Sequence, residues 1–199
     1  RRYTRLTRKL SAYLNEVTAD GYVFRVDLRL RPDPSSTPAA VNAEMARNYF
    51  EALGQNWERA AYAKARVCAG DRPAGEQFLK DLDPFVWRRS LDFEAVDDIR
   101  GIARQIQSTR KRSEMIAAGH DVKLGRGGIR EIEFFAQIMQ LVFGGRRKAL
   151  RVASTLPALA LLAREQLISE EDAEAMSTAY RQLRAIEHRI QMLEDEQSQ

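Results

Sequence analysis

The chain has 199 residues, 44% of them hydrophobic and 30% charged, which is an ordinary composition for a folded protein of one large or two small domains. Its 32 Lys and Arg against 28 Asp and Glu give a net charge of only +4, too small to indicate nucleic-acid binding. One cysteine excludes an internal disulfide, and no apolar run approaches the roughly 20 residues that span a bilayer, so we expect a cytoplasmic protein without nucleic-acid or membrane partners.

The first predicted element is a helix that ends before Gly21. Its apolar residues recur at spacings of three and four, which is typical of one helix face. They are Leu6, Leu10, Leu14 and Val17. Gly21 follows as a helix stop.

A strand is predicted over 21–32, with the sequence GYVFRVDLRLRP. Successive side chains of a strand point to opposite faces. One face would then be apolar, with Tyr22, Phe24, Val26, Leu28 and Leu30. The other would carry Val23, Arg25, Asp27, Arg29 and Arg31. The proline-rich stretch 32–38 ends this strand, because proline cannot donate to a ladder.

Helices are predicted over most of the remaining chain. They cover 42–53, 56–62, 76–89 with an interruption near Pro84, 99–116, 129–143, 155–165, and the stretch from Ser169 onward. The alternation in 64–68 is weak evidence for a second strand. In the last helix the apolar residues keep heptad spacing, which allows a coiled coil but favours an antiparallel bundle, since only about three heptads are sustained.

These elements predict an α+β, predominantly α-helical chain. We expect a small strand-containing domain over 1–70 and a helical bundle over 71–199.

Asp27 is a candidate metal ligand on the polar face of the predicted strand. A carboxylate among three arginines could bind Mg²⁺ while the guanidiniums neutralise phosphate oxygens. Ion pairing on a solvated face is the commoner explanation for such a pattern, and a single Asp is only part of a magnesium site.

A glycine-rich turn precedes the helix predicted over 129–143, in the segment KLGRGGIREIEF. Its glycines permit a tight turn before a helix start, where free amides favour phosphate, and Lys123 and Arg130 add positive charge. Glu131 and Glu133 lie in the same first turn, and a well-capped helix without a ligand explains the pattern equally well.

In the segment NWERAAYAKAR, Lys64 and Arg66 are further candidate phosphate contacts, although a solvated face would also carry them.

Taken in order, YVFRVDLRLRP, WERAAYAKARVCAGD, KLGRGGIREIEF and EDEQSQ resemble the bacterial bifunctional glutamine synthetase adenylyltransferase and adenylyl-removing enzymes. The resemblance is clearest over 21–199. It favours the half that removes AMP, because the adenylylating half is expected to carry Asp in place of Glu131.

The resemblance implies a polymerase-beta-like nucleotidyltransferase domain in which Asp27 is the third metal-binding carboxylate, with Mg²⁺ as cofactor. It implies phosphorolysis of adenylylated glutamine synthetase to ADP, with the PII signal protein acting on the longer enzyme. The implied phosphate or nucleotide contacts are Arg29, Arg31, Lys64, Arg66, Lys123 and Arg130. Glu131 and Glu133 are implied as an acid pair near the tyrosine.

No Asp-x-Asp precedes Asp27, so we expect a piece of a longer protein that is inactive in isolation. Three other functions stay open on the sequence. They are the adenylylating half of the same enzyme, a different nucleotidyltransferase, and a non-enzymatic helical interaction module.

Overall fold

The computed structural model describes residues 2–89 and 121–194, and over these ranges the chain is predominantly helical. The helices are α1 (Arg2–Asn15), α2 (Ala43–Ala52), α3 (Asn56–Tyr62), α4 (Arg72–Asp81), α5 (Asp83–Val86), α6 (Ile129–Phe143), α7 (Thr155–Arg164) and α8 (Glu170–Glu194), with a short 3₁₀ turn at Lys148–Leu150. The helix predicted over 99–116 lies outside the described residues. None of the described helices is both long enough and apolar enough to cross a membrane.

Side-chain caps set several of the helix starts. Asn42 Oδ1 accepts the Glu44 amide at 2.8 Å before α2, and Ser169 Oγ accepts the Asp172 amide at 3.0 Å in the first turn of α8. Both predicted starts are confirmed. The helix predicted from residue 76 begins four residues earlier, at Arg72, because Asp71 caps α4 and accepts the Ala74 amide at 3.1 Å. The predicted interruption near Pro84 is confirmed, because α4 ends at Asp81 and α5 begins at Asp83, with Pro84 in its first turn, where proline needs no amide partner.

The strand predicted over 21–32 is not formed in this structure, and that prediction is wrong. Within 2–89 and 121–194, β pairing is limited to an isolated bridge between Thr18 and Gly21. The amides of Val23 and Phe24 donate instead to the Leu14 carbonyl at the end of α1, at 3.1 and 2.7 Å. A strand needs a neighbour to pair its backbone groups, and no described segment supplies one here. The second strand, predicted over 64–68, is also wrong, since these residues form a turn and irregular chain.

The chain divides into two compact units by the packing of its residues. The predicted domain boundary between residues 70 and 71 stays a prediction. The first unit comprises the described residues up to Ala61 together with Val67–Phe85. Its core contains Ala46, Phe50, Leu82 and Phe85, all buried. The rings of Phe50 and Phe85 lie 5.2 Å apart, so α2 packs against α5.

The second unit comprises Tyr62–Arg66 and the described residues from Val86 onward. Here α6, α7 and α8 pack on one another, as the predicted bundle requires. The core residues are Ile132, Ala136, Ala158 and Leu159. Met176, Ala179 and Leu183 of α8 pack against them. The first part of the apolar repeat in the last helix therefore faces a bundle core, whereas Ile186, further along, is 43% exposed.

A buried glutamine connects α6 to the chain that follows it. Gln140 is 2% exposed, and its side-chain amide donates to the carbonyls of Leu150 and Val152, at 2.6 and 2.8 Å. The 3₁₀ turn at Lys148–Leu150 is thereby fixed to the helix before it.

Candidate functional site

A cluster of ionisable and hydrogen-bonding side chains lies between α6 and α8 in the second unit. We call it the polar cluster, and it consists of Lys64, Lys123, Glu133, Tyr180, Arg184 and Glu187. Glu133 is on α6, the last three are on α8, Lys64 follows α3, and Lys123 is in the turn before α6. Three cations and two carboxylates therefore meet within one helical bundle.

Arg184 joins the two helices through its guanidinium. Its Nη2 donates to Glu133 Oε1 at 2.7 Å, and its Nη1 donates to Glu187 Oε2 at 2.6 Å. Its Nε donates to Tyr180 Oη at 3.1 Å, and the guanidinium carbon lies 5.4 Å from the centre of the Tyr180 ring. Burial alone would lower the pKa of Arg184, but the hydrogen bonds and charges of Tyr180, Glu187 and Glu133 outweigh it and raise that pKa.

Glu133 is held by one of its two oxygens. Tyr180 Oη donates to Oε1 at 2.8 Å, beside the bond from Arg184 to the same atom. Arg184, Tyr180 and Glu133 thus form a closed ring of three hydrogen bonds. No described residue donates a hydrogen bond to Oε2, and the Glu133 side chain keeps 24% of its surface exposed. Oε1 is therefore the oxygen by which α8 holds this carboxylate.

Glu187 is the buried carboxylate of the cluster, with only 1% of the residue exposed. Its two partners are Arg184 and Lys123, whose Nζ lies 3.3 Å from Glu187 Oε1. Burial by itself would raise the pKa of Glu187, but the hydrogen bonds and charges of Arg184 and Lys123 lower it below its ordinary value. Glu187 therefore stays charged and balances the positive charge of Arg184.

Lys64 is half-buried at the edge of the cluster. Its Nζ donates to Thr155 Oγ1 at 3.4 Å, a long contact for a hydrogen bond. Burial lowers the pKa of Lys64, the charge of Glu133 opposes that shift, and the charge of Arg184 adds to it.

Three candidates from the sequence, Lys64, Lys123 and Glu133, come together in this cluster. Sequence reasoning missed Tyr180, Arg184 and Glu187. Their spacing of four and three residues places them on one face of α8, beside the apolar residues that pack on the core. Polar residues at helical spacing on a core-facing helix were the signal that could have found them.

Asp27 and Arg29 form an exposed ion pair in the first unit. Arg29 donates to both carboxylate oxygens of Asp27, with its Nη2 at 2.6 Å from Oδ2 and its Nε at 3.0 Å from each oxygen. The side chains are 84% and 49% exposed for Arg29 and Asp27. The side-chain hydrogen bond from Arg29 is the main cause that lowers the pKa of Asp27 to about 2.

The groups around Asp27 do not by themselves form a ligand set for a magnesium ion. Mg²⁺ needs several oxygen ligands, and both oxygens of Asp27 are bound to Arg29. Over the two described ranges, no group of three or more His, Cys, Asp and Glu side chains could hold a metal ion. The magnesium site at Asp27 therefore stays a prediction.

The remaining candidates have local roles in this structure. Arg31 donates to the carbonyls of Leu28, Pro34 and Thr37 and so closes the loop between them. Arg66 is exposed.

In the turn before α6, Glu131 Oε2 accepts the amide of Gly127 at 3.0 Å. Arg130 is exposed, and its guanidinium carbon lies 5.5 Å from the centre of the Phe134 ring. Both side chains thus contact their own turn or helix, and their predicted roles stay predictions.

The chain matches two family models. Residues 1–81 match glutamate-ammonia ligase adenylyltransferase, and residues 100–199 match GlnD PII-uridylyltransferase. Bifunctional glutamine synthetase adenylyltransferase/adenylyl-removing enzymes from a Bradyrhizobium species and from Rhodopseudomonas palustris are each 55% identical over 98% of this chain and 20% of their own length. The one from Caulobacter vibrioides is 54% identical over the same shares.

These curated relatives are about five times as long as the stretch that they share with the chain, since the match covers 20% of their length. The same relatives nevertheless match the sequence of both compact units, because the match covers 98% of the chain. The chain therefore belongs to the family of the bifunctional glutamine synthetase adenylyltransferase/adenylyl-removing enzymes.

Proposed function

We propose that the chain is part of a nucleotidyltransferase that removes AMP from an adenylylated tyrosine of glutamine synthetase by phosphorolysis. The observation that carries this proposal is the 55% identity over 98% of the chain to enzymes whose name includes that activity. On the same basis, residues 1–70 would be the C-terminal part of a polymerase-beta-like nucleotidyltransferase domain, and residues 71–199 a helical domain. The PII signal protein would act on the longer enzyme.

The proposed reaction needs charge neutralisation and positioning more than covalent help. An oxygen of inorganic phosphate attacks the AMP phosphorus, the bond from phosphorus to the tyrosine oxygen breaks, and ADP leaves. The tyrosine oxygen, which receives the bonding electrons, takes up a proton. Lys64 supports this proposal as a half-buried cation whose Nζ makes a long hydrogen bond to Thr155 Oγ1, at 3.4 Å.

The adenylylating activity is the second candidate, because the relatives' name covers both directions. In that case the same groups would meet ATP and the unmodified tyrosine. Since the preference for removal rests on Glu131 and a few neighbours, an assay must measure both reactions.

The test uses a longer protein in which this chain is extended to the length of its relatives. ADP formation is measured from adenylylated glutamine synthetase and phosphate, and AMP incorporation from ATP and the unmodified enzyme. We expect that Asp27→Ala abolishes ADP formation, leaves AMP incorporation intact, and leaves the melting curve unchanged.

Loss of AMP incorporation alone would move the assignment to the adenylylating half. If Asp27→Ala changes neither reaction in an active protein, the hypothesis that this chain takes part in turnover is refuted. The alternative of a non-enzymatic helical interaction module is then favoured. The 199-residue chain by itself is expected to release no ADP.

A further inference from the structure

One surface of the second unit collects positive charge from two stretches of chain that contain no acidic residue. The stretches are 87–89, with the sequence WRR, and 143–151, with the sequence FGGRRKALR. The second lies within a longer region, between Glu133 and Glu165, that has no Asp or Glu at all. The cations of this surface, which we call the basic face, are Arg88, Arg89, Arg146, Arg147 and Lys148.

The two stretches touch through the glycine pair at the end of α6. A Cβ on Gly145 would lie 1.9 Å from the carbonyl oxygen of Arg88 and 3.0 Å from the Cα of Arg89, so glycine is what lets the two backbones approach this closely. Arg146 Nε also donates to the Arg89 carbonyl at 3.1 Å. Two cations that are 57 residues apart in the chain therefore adjoin on one surface.

Some of the positive charge in this region has a local structural role. Arg147 Nη1 donates to the Glu165 carbonyl at 2.7 Å and lies 3.3 Å from Glu165 Oε2. Arg151 Nε donates to the Gly144 carbonyl at 2.8 Å, at the end of α6, where the helix dipole favours a cation. These two contacts stabilise the bundle. The exposed members of the basic face are Arg89, Arg146 and Lys148.

Exposed cations on adjoining residues repel one another and so lower the stability of the free chain. A surface without a binding role commonly mixes both signs of charge, which avoids this cost. A negatively charged surface that covers the cations relieves the repulsion, because guanidiniums bind carboxylates through paired hydrogen bonds. The basic face therefore favours a negatively charged partner.

The side chains around the basic face favour a protein as that partner. Binding of single-stranded nucleic acid uses exposed aromatic rings for stacking, but Trp87 is buried and the guanidinium carbon of Arg151 lies over its ring, 5.5 Å from the centre. A lipid surface is bound through exposed apolar anchors, and both Val86 and Leu150 are buried. A carboxylate-rich protein surface requires neither feature.

We propose that the basic face is a docking surface for a carboxylate-rich face of the protein substrate, adenylylated glutamine synthetase. The inference deepens the proposed function and rests on it for the identity of the partner. The cations increase the rate at which the two proteins meet and fix their relative orientation, as complementary charges do at protein interfaces. This role needs no contact between the basic face and the reacting phosphorus.

The test measures the binding of adenylylated glutamine synthetase to the longer protein by biolayer interferometry, at low and at high salt. Arg146→Glu combined with Lys148→Glu reverses two exposed charges of the basic face. We expect the Kd to rise about tenfold at low salt, mainly through slower association. The difference from wild type should shrink at high salt, because salt screens exposed charges.

Arg181→Glu combined with Arg189→Glu is the matched control, because it changes the net charge by the same amount at two exposed positions of α8. Its Kd should stay at the wild-type value. Equal weakening by both double variants would show that only the net charge matters, and would overturn the inference. Arg146→Gln combined with Lys148→Gln should give a smaller loss of affinity, with the melting curve of wild type.

Two further probes examine the other classes of anionic partner. A single-stranded oligonucleotide and vesicles that contain phosphatidylserine are each titrated with the unsubstituted longer protein and with the charge-reversed basic face. If either probe binds more tightly than adenylylated glutamine synthetase, and charge reversal abolishes that binding, the basic face serves that other partner and the inference is overturned.

Binding and turnover separate failure of the inference from failure of the proposed function. If the unsubstituted longer protein binds adenylylated glutamine synthetase but forms no ADP, the proposed function fails while the Kd values of the variants still judge the docking role. If that protein forms ADP and charge reversal leaves both the Kd and the KM for adenylylated glutamine synthetase unchanged, the inference is refuted and the proposed function stands. Absence of binding by the unsubstituted protein would refute the inference as well.

Discussion

Tyr180 and Glu133 are 47 residues apart in the chain, yet the phenol Oη of Tyr180 donates to Glu133 Oε1 at 2.8 Å. The contact joins α6 to α8 at a polar point beside the apolar core of the bundle. An apolar interface tolerates small shifts of one helix along the other, whereas a hydrogen bond of this length does not. The polar cluster therefore fixes the register of the two helices.

The carboxyl of Asp27 should titrate with a pKa of about 2. Arg29→Gln removes the guanidinium that causes the shift, so the pKa of Asp27 should return toward about 3.9, the ordinary value of an aspartate. Carbon-detected NMR titration of the side-chain carboxyl measures both. An Asp27 that titrates at its ordinary pH with Arg29 present would show that the exposed pair does not persist in solution.

The stability of the chain should depend on pH through Glu187. Its pKa in the folded state is below the ordinary 4.5, so its stabilising contribution is fully present above that pH and is lost as the pH falls through the folded-state pKa. Glu187→Gln should therefore lower the free energy of unfolding by about 2 kcal/mol at neutral pH, and the difference should shrink as the solution becomes more acidic.

Urea denaturation at several pH values measures that difference. Glu174→Gln is the control, because the Glu174 side chain is 74% exposed and its pairing with Arg181 is screened. A gap between wild type and Glu187→Gln that widens toward acid pH would contradict the assignment.

Gly145→Ala should destabilise the second unit by about 2 kcal/mol, the size of an overpacking effect. A Cβ at this position would lie 1.9 Å from the carbonyl oxygen of Arg88, and backbone atoms cannot move aside cheaply. Gly127→Ala makes a useful comparison, since Gly127 has a φ of +76° but open space around it. There only the backbone conformation is unfavourable, with a cost of about 1 kcal/mol. Thermal and urea unfolding of both variants should rank them in this order.

The apolar face of α1 should bind hydrophobic dyes. Leu6, Leu10 and Tyr13 are 60%, 57% and 75% exposed, and their spacing of four and three residues aligns them. Replacing Leu6 and Leu10 together by Gln should decrease Nile red fluorescence and leave the melting temperature unchanged. Arg5→Gln, on the same helix, should change neither. Equal dye binding by the double variant would place the dye site elsewhere.

The helices were largely predictable because their signals are local. Asn42 marks the start of α2 through its own side chain, and the apolar spacing of 129–143 reproduces the bounds of α6. The strand over 21–32 failed for a non-local reason. Its alternation of apolar and charged residues satisfies a strand pattern, but a strand also requires a pairing partner, which alternation does not report.

The site was only partly predictable for a related reason. Lys123 and Glu133 stand near a conspicuous glycine-rich turn, and both belong to the polar cluster. Arg184 lies 51 residues from the Glu133 that it binds, and nothing in the spacing along the chain indicates that pairing. Only a bundle that brings α6 and α8 together reveals it.

The side chain of Gln140 affects how the turn at Lys148–Leu150 unfolds transiently. Its side chain holds the carbonyls of Leu150 and Val152, while the amides of Arg151 and Val152 donate to Lys148 and Leu150 within the same turn. This turn therefore cannot unfold as an independent loop, because its carbonyls would first have to release a side chain anchored in α6. Amide protons of Arg151 and Val152 should exchange with solvent as slowly as those of the helix, through a shared opening of that region.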